Sequence, residues 1–351
     1  MDQLWGADRS HSENSDGQSE PDDFFATYGS SIAYESEVKP EQSPAAPESQ
    51  GNSSQDDGDT LDQVLADLNR FIGLDRVKQE IASLVSFVNI RKIRVARHFP
   101  VPELSLHAVF FGPPGTGKTT IARLYGRLFK VLGLLSSGHL VETDRAGLVA
   151  EYIGQTAVKT DKKIHEAMGG VLFIDEAYAL SGRNALNDFG PEAIEVLIKR
   201  MEDYRTDIAV IAAGYDEPMN NFLELNEGLK SRFMTFLHFE ALSETQLFDV
   251  FEAIAATHKY EFTGSVQEAV SSTIRAEIAK KDESFGNARF VRNLFQSMVF
   301  RQSERLHQLN REPTDEELTT FEESDVGYQV DQYKPASKSL GFRSSSDIHK
   351  E

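Results

Sequence analysis

One octapeptide constrains this chain more than any other stretch: GPPGTGKT, which runs from Gly112 to Thr119. It follows the apolar run LHAVFFG and opens a segment with helical spacing, GKTTIARLYGRLFKVLG. Its three glycines let the backbone wrap tightly, so that successive N–H groups face one point, and the helix N-terminus adds positive dipole there. Pattern and context together predict a P-loop, a phosphate-binding turn between a strand and a helix.

Within this loop, Lys118 is expected to reach the β- and γ-phosphates of ATP, and the Thr119 hydroxyl to bind Mg²⁺. The predicted nucleotide-binding residues of the loop are Gly112, Pro113, Pro114, Gly115, Thr116, Gly117, Lys118, Thr119 and Thr120. The alternative is a glycine-rich turn that matches by chance, and the flanking strand and helix patterns argue against it.

A second apolar run, GVLFID, ends in an acidic pair, Asp175 and Glu176. Ligand sites in open α/β sheets lie at the carboxyl ends of the strands. We therefore predict that Asp175 holds Mg²⁺, directly or through water, and that Glu176 polarises the water that attacks the γ-phosphate. Alone, the pair could equally be a solvated strand end. With a P-loop upstream, the two motifs predict ATP hydrolysis.

Short apolar runs alternate with helical patterns through the middle of the chain. The predicted strands are 106–112, 139–144, 170–175, 208–214 and 234–240. Continuous apolar strands separated by helices predict an α/β fold with a five-stranded parallel sheet covered on both faces. After Glu240 only helical patterns follow, which predicts a small all-helical domain. The expected organisation is a tail at 1–59, an α/β domain at 60–240, a helical domain at 241–330 and a second tail at 331–351.

The excess negative charge is concentrated near the N-terminus. Residues 1–60 hold fourteen Asp or Glu and two Lys or Arg, a net of −12 within a chain total of −20. Such a polar, charged segment cannot bury enough apolar surface to offset its ordering entropy, so we predict a disordered acidic tail. An acidic chain without a basic stripe is also a poor nucleic-acid binder, because phosphate neutralisation needs clustered cations.

The chain has no cysteine, which excludes disulfides, thiolate catalysis and cysteine zinc sites. Its first residues, MDQLWGADRS, are acidic and lack the apolar core of a secretory signal. No apolar run approaches the ~20 residues that a membrane span needs. We expect a soluble cytoplasmic protein.

Taken together, GPPGTGKTT, GVLFIDEAYAL and a helical domain after the sheet resemble the AAA+ ATPases. Four further segments are similar in sequence to the CbbX/SpoVK (CfxQ) branch of that family: EYIGQTAVKT, MGGVLFIDEAY, AGYDEPM and GNARFVRNLF. That branch includes red-type Rubisco activases and sporulation ATPases, and related modules occur in type VII secretion ATPases. The resemblance covers about residues 60 to 330 and implies an AAA+ P-loop domain followed by a helical lid.

The resemblance implies further site residues. Ile72 and Gly73 match a dipeptide that packs on adenine, although a helix-breaking glycine would give the same local shape. Tyr215 stands at the sensor position after the fourth strand, where most AAA+ proteins carry Asn or Thr, so the usual positioning of water is in doubt. Arg232 matches the arginine finger that reaches a neighbouring subunit's nucleotide; taken alone, it would be a surface arginine.

Arg289 matches the second sensor, an arginine on the lid that points back to the phosphates. Arg292 lies on the same helical face and is the alternative, and either could be an ordinary salt-bridging residue. An arginine on the lid that contacts nucleotide would couple the two domains to the ATP state.

An arginine supplied in trans requires an oligomer, and the resemblance implies a homo-oligomeric ring, usually a hexamer, with a central pore. Tyr152, Ile153 and Gly154 fall where AAA+ unfoldases carry an aromatic–hydrophobic–glycine loop that faces the pore. A tyrosine ring offers a flat apolar face that grips peptide with little sequence preference. The alternative is that Tyr152 is a buried helix residue, since aromatics usually mark core.

The predicted function is therefore ATP-driven remodelling of a protein client gripped in the pore. Three alternatives stay open. The first is release of inhibitory sugar phosphates in the manner of a red-type Rubisco activase. The second is a nucleotide-gated assembly scaffold that does not thread its partners. The third is a nucleic-acid loader, against which the net acidity weighs.

Overall fold

The computed structural model describes residues 59–152, 154–181, 188–280, 282 and 284–327. The two predicted tails, apart from Asp59, and the predicted pore residue Ile153 lie outside these residues. Within them the main sheet consists of β1 (Ala108–Phe111), β2 (Leu140–Thr143), β3 (Val171–Ile174), β4 (Ala209–Gly214) and β5 (Thr235–His238). Each lies inside the strand that the sequence predicts, so all five strands are confirmed.

Helices surround this sheet and follow it. Those of the described residues are α1 (Leu61–Arg70), α2 (Asp75–Ala96), α3 (Lys118–Val131), α4 (Arg145–Leu148), α5 (Thr156–Glu166), α6 (Gly190–Asp203), α7 (Asp216–Leu225), α8 (Glu227–Lys230), α9 (Glu244–Thr257), α10 (Gly264–Ala279), α11 (Ala288–His307) and α12 (Asp315–Thr319). Short 3₁₀ turns occupy Ala177–Ser181 and Glu323–Asp325.

The sheet has the order β2-β3-β4-β1-β5, and every neighbouring pair is parallel. In register, Phe111 at the end of β1 lies opposite Gly214 of β4 and His238 of β5. Ile174 at the end of β3 lies opposite Ala212 of β4. The residues that follow β1, β3 and β4 therefore meet at one edge of the sheet.

The central strands are buried along their whole length, as continuous apolar sequences of a parallel sheet require. On one face, Phe110 packs against Tyr125 of α3 and Phe239, with ring centroids 6.0 and 5.2 Å away. Burying one such ring completely stabilises the fold by roughly 1.5–3 kcal/mol. The core of the sheet thus fixes the strand ends on which the site is built.

The helices before the sheet are held to it by an ion-pair cluster. Thr60 caps α1 in a reciprocal capping box with Gln63. The Arg127 guanidinium of α3 donates two hydrogen bonds to Asp59, at 2.7 and 2.8 Å, and a third to Asp67 of α1 at 2.9 Å. These contacts lower the pKa of Asp59, chiefly through the hydrogen bond from Arg127. The cluster joins α1 to the helix that leaves the P-loop.

The helical domain has its own core, formed mainly by α9, α10 and α11. Ser243 begins it with a second capping box, in which Gln246 is the partner. One feature was not predicted: Glu261–Phe262 and Thr320–Phe321 form a parallel pair of two-residue strands, β6 and β7. Near the end of this domain the short helix α12 runs directly into β7.

Among the described residues, none of the helices combines the length and the apolar character needed to cross a membrane.

Candidate nucleotide site

The P-loop lies at the carboxyl end of β1 and adopts a conformation that depends on glycine. Gly112, Gly115 and Gly117 have φ values of 138°, 69° and 95°. A Cβ atom at Gly112 would lie 2.1 Å from the Phe239 carbonyl oxygen, so a side chain cannot fit there. At Gly117 a Cβ would meet only Leu74, at 4.0 Å. The space beside Gly117 is therefore open.

The helix that leaves the loop presents its N-terminus to the same space. Gly117 is the N-cap of α3 and makes no side-chain capping bond. The first-turn N–H groups of such a helix have no intrahelical acceptor, and they favour an anion. Thr116 is buried and donates a hydrogen bond to the Pro113 carbonyl at 2.9 Å, which holds the loop closed. These features fit the phosphates of a nucleotide.

Lys118 points back into the loop. Its Nζ donates hydrogen bonds to the carbonyl oxygens of Gly112, at 2.7 Å, and Pro113, at 2.8 Å. Burial is the main cause that lowers the pKa of Lys118 to about 8; the charges of Asp175 and Asp216 oppose this shift, and the nearby Arg289 adds to it. A largely desolvated ammonium group gains more from a phosphate than an exposed one does, because the interaction is screened less.

Asp175 and Glu176 lie at the end of β3, on the same edge of the sheet as the P-loop. One oxygen of Asp175 accepts a hydrogen bond from the Glu176 N–H at 3.0 Å. Glu176 is exposed and has φ +47°, which places a non-glycine residue in the left-handed region. Such strain costs of order 1–3 kcal/mol and clusters at functional sites. The 3₁₀ turn Ala177–Ser181 begins immediately after it.

The predicted sensor Tyr215 follows β4 and is the N-cap of α7. Its ring lies 6.2 Å from that of Tyr178, and a Cβ at Gly214 would be only 2.7 Å from the Tyr178 ring. Burial raises the pKa of Tyr178 to about 12, with a further contribution from Glu176. Tyr178 and Asp216 belong to the surroundings of this site and were not predicted. In the sequence, the only indication of their role was their position, because Tyr178 lies two residues after Glu176 and Asp216 directly follows Tyr215.

Ile72 and Gly73 lie between the two domains. Gly73 has φ +68°, and a Cβ there would approach Gln246 at 3.0 Å and Leu242 at 3.1 Å, both at the start of the lid. Ile72 packs against the lid core. The next residue, Leu74, is the one that approaches Gly117. The segment predicted to contact adenine thus borders both the P-loop and the lid.

Arg289 lies in the first turn of α11 with its side chain exposed. The start of this helix contacts the P-loop, because the Ala288 N–H donates a hydrogen bond to the Gly115 carbonyl at 3.1 Å. The positive charge of Arg289 is close enough to depress the pKa of Lys118. The structure therefore brings Lys118, Asp175, Glu176, Tyr215 and Arg289 to one region.

Arg232 is not part of that region. It lies three residues before β5, and its carbonyl accepts a hydrogen bond from the hydroxyl of Ser105, which lies three residues before β1. Because β1 and β5 are parallel, Arg232 lies at the amino edge of the sheet, opposite the P-loop. Its guanidinium donates to the Gly228 carbonyl at 2.6 Å and pairs with Glu202 at 3.5 Å, while its buried Nε has no hydrogen-bond partner.

Tyr152 lies at the tip of a loop after α4. The Ala150 N–H donates to the Thr156 hydroxyl at 3.1 Å, which closes the base of the loop. The Tyr152 side chain is 67% exposed, so the alternative of a buried helix residue does not hold. Gly154 has φ +79°, and a Cβ there would touch nothing within 4 Å. The loop projects an aromatic side chain into solvent.

The protein oxygens predicted to bind Mg²⁺ belong to Thr119, in the first turn of α3, and to Asp175, after β3. No group of three or more His, Cys, Asp or Glu residues that could hold a metal ion occurs in the part of the chain that the structure describes. Mg²⁺ commonly binds through one or two protein oxygens together with substrate phosphates and water. The residues present fit such a site, in which the nucleotide supplies the remaining ligands.

Comparison with known proteins agrees with this geometry. The family described as "ATPase family associated with various cellular activities (AAA)" matches residues 108–241, and the "AAA lid domain" matches residues 243–336. Strands β1 to β5 and the P-loop lie in the first match, and α9 to α11 lie in the second. The fold and site are those of an AAA ATPase, and the enzyme hydrolyses ATP.

Relatives narrow the assignment to a branch. The chain is 38% identical over 247 residues to stage V sporulation protein K of Bacillus subtilis, covering 70% of this chain and 76% of that protein. It is 38% identical over 297 residues to the ESX-3 secretion system protein EccA3 of Mycobacterium tuberculosis, covering 80% of this chain. The chain belongs to the AAA ATPases, in the branch of the SpoVK and CbbX proteins, as its motifs predicted.

The match to the secretion protein is partial, since the chain spans 47% of that relative's length. A solved structure titled "Thermotoga maritima RuvB Holliday junction branch migration motor" aligns with 72% of this chain and 69% of its own, at 20% identity and a TM-score of 0.46.

Proposed function

We propose that this ATPase assembles into a ring, usually of six copies, and uses ATP hydrolysis to remodel a protein client gripped in the central pore. The proposal has three parts: a nucleotide site within one copy, an arginine from the next copy, and a gripping loop. Each part depends on residues whose positions are described above, and each can be tested separately.

In the first part, the loop Gly112–Thr119 and the N-terminus of α3 bind the phosphates, and Ile72 and Gly73 border the adenine. Lys118 leaves the Gly112 and Pro113 carbonyls, to which it is bonded at 2.7 and 2.8 Å, and neutralises phosphate charge instead. Thr119 and Asp175 would hold Mg²⁺, which would offset the developing negative charge when bound. Glu176 orients water and takes its proton, and Tyr215 lines the same edge.

The second part is supported by the position of Arg232. It lies at the edge of the sheet opposite the P-loop of its own chain, so it cannot assist hydrolysis there. Its guanidinium is held by a backbone carbonyl and by Glu202 at 3.5 Å, a long and weak pairing. A nucleotide phosphate from a neighbouring copy would give the guanidinium group a stronger, charge-assisted partner. Head-to-tail contacts of this kind close into rings.

The observation that carries the third part is the exposure of Tyr152. Exposure of a single apolar side chain is common by itself, but here the exposed ring belongs to a loop, and a ring face can stack on peptide of any sequence. The loop is closed at its base by the bond between Ala150 and Thr156, so α5 would transmit movement of the sheet domain to its tip.

The test is site-specific photocrosslinking in cells that make the protein. A benzophenone amino acid is placed at Tyr152 in a chain that also carries Glu176→Gln, which should retain ATP without turnover. The matched control has the same group at Val158, which is 70% exposed on the neighbouring helix α5. We expect position 152 to crosslink polypeptides other than this chain in the presence of ATP, and position 158 to do so much less.

Two results would overturn the proposal that this loop grips the client. One is equal crosslinking from positions 152 and 158, and the other is crosslinking from position 152 to copies of this chain alone. The second result would favour a nucleotide-gated scaffold whose loop lies at a contact between copies.

The client is a protein whose identity this proposal does not specify. Relatives are named for sporulation and for secretion, so the shared part of these chains is the motor rather than the client. Release of sugar phosphates from an inhibited enzyme would be one instance of the same action. The proposed location is the cytoplasm, where ATP is supplied to such an enzyme.

A further inference from the structure

Asn287 has a backbone conformation that is unusual for a residue with a side chain. Its φ is 44° and its ψ is −122°, values close to the first central position of a type II′ turn, where glycine dominates. The residue is 1% exposed and immediately precedes α11. Strain of this kind persists only where the surroundings hold it. A glycine would adopt this conformation without strain, so the contacts of the asparagine side chain are expected to offset the cost.

The side-chain amide makes three hydrogen bonds. Its Oδ1 accepts from the Leu242 N–H at 3.0 Å. Its Nδ2 donates to the carbonyl oxygens of Pro114 and Phe285, each at 3.1 Å. Only one orientation of the amide satisfies all three partners, because the flipped group would set an oxygen against two carbonyl oxygens.

These bonds join three separate parts of the chain. Pro114 belongs to the P-loop, Leu242 is the junction that leads from β5 into the lid, and Asn287 begins the lid helix α11. The neighbouring Ala288 N–H also binds the Gly115 carbonyl. Two consecutive carbonyl groups of the P-loop are thus bound by the lid, while P-loop N–H groups remain for phosphates.

We propose that Asn287 is a positioning residue that ties the outer face of the phosphate-binding loop to the lid and its linker, so that phosphate binding on the inner face moves the lid. This contact acts through the loop backbone and is separate from Arg289, which acts through its charge. Coupling of this kind is reciprocal: a lid that is held in place also holds the loop in its phosphate-binding form. The inference requires nucleotide binding but neither a ring nor a client.

The absence of cysteine makes the coupling measurable, since two introduced cysteines are unique labelling sites. Lys162→Cys on α5 and Gln267→Cys on α10 are exposed positions on the sheet domain and the lid. Their distance distribution is measured by pulsed spin-label spectroscopy, without nucleotide and with ADP, in labelled protein diluted into unlabelled protein. Dilution leaves pairs within one chain as the source of the signal.

Asn287→Gly keeps the backbone conformation and removes all three hydrogen bonds. We expect a broader distance distribution without nucleotide, loss of the shift on adding ADP, and an ADP affinity lower by on the order of tenfold, within the usual range of coupling energies. Asn310→Gly, at an exposed position in the same domain, is the matched control and should behave as the parent does.

Asn287→Asp separates hydrogen bonding from packing. Aspartate has the same shape, but its carboxylate would face the Pro114 and Phe285 carbonyls, so it should disturb the coupling more than glycine does. A wild-type distance shift in either variant would overturn the proposal. In the unaltered chain, hydrogen exchange of the Leu242 N–H should change when ADP binds, and an unchanged rate would also contradict it.

Discussion

At the scale of residues, Glu176 and His107 are two ionisable side chains in uncommon environments: one has a strained backbone and the other is fully buried. Glu176 is held with a positive φ beside Asp175, at the edge where the P-loop begins. The sequence predicted its place at the strand end but not its strain, which arises from the turn that follows. His107 was not singled out by the sequence, because one histidine in an apolar run carries no pattern. The structure buries it completely between β1, β4 and α6.

His107 gives a prediction for stability against pH. Its Nε2 lies 3.0 Å from the Met201 carbonyl and its Nδ1 accepts from the Val210 N–H at 3.0 Å, so the ring is neutral with the proton on Nε2. Burial lowers its pKa to about 4 from an ordinary value of 6.5. Between these values the unfolded chain binds more protons, so stability is complete above pH 6.5 and falls towards pH 4, by on the order of 3 kcal/mol.

The measurement is the urea midpoint of unfolding between pH 4 and pH 7, compared with the same series for His107→Gln. The variant cannot titrate at this position, so it should be less stable throughout and should depend less steeply on pH. Parallel pH profiles for the two proteins would show that His107 is not the group responsible.

At the scale of elements, strands and helices with strong periodicity were predicted and confirmed, because a buried parallel strand has a continuous apolar sequence. The same reasoning could not find β6 and β7, which are two residues long and depend on the folded lid. It placed the P-loop and the lid helix, but not their contact: Pro114 and Asn287 are 173 positions apart, and only tertiary packing joins them.

A substitution at Gly115 tests whether the contact between the P-loop and the lid affects nucleotide binding. Gly115→Ala would set a Cβ 1.9 Å from the Gly286 carbonyl oxygen and so push the lid from the loop. Gly133→Ala is matched in backbone, with φ +66° against +69°, but its Cβ would meet nothing within 4 Å. We expect both variants to lose ~1–2 kcal/mol of stability from the left-handed backbone.

Gly115→Ala alone should also lose nucleotide affinity. The loss should be about tenfold or more, because displacing the loop removes at least one charge-assisted hydrogen bond. Thermal midpoints and ADP affinities by calorimetry measure the two effects. Equal ADP affinity in both alanine variants would mean that the contact with the lid does not shape the P-loop.

At the scale of the whole molecule, the predicted catalytic residues of one copy lie at two opposite edges of the sheet. Lys118, Asp175 and Glu176 meet at one edge of the sheet, and Arg232 lies at the other. The resemblance implied that Arg232 acts on a neighbour, and no pattern in the sequence could locate it relative to its own P-loop. The parallel sheet supplies that fact, because residues before and after strands lie at opposite edges. The proposed site shared between copies would give this arginine a function, and it requires an oligomer.

The most direct test of this account is ATP turnover by mixtures of Glu176→Gln and Arg232→Ala. Each variant alone should be nearly inactive, since an arginine finger is worth ~10³–10⁵ in rate. After random exchange of copies, about a quarter of neighbouring pairs combine an intact Glu176 with an intact Arg232. An equimolar mixture should therefore recover about a quarter of wild-type turnover if the sites act independently. Co-purification through a tag on one variant verifies that mixed oligomers form. If these mixed oligomers hydrolyse no more ATP than the separate proteins do, the shared site is contradicted.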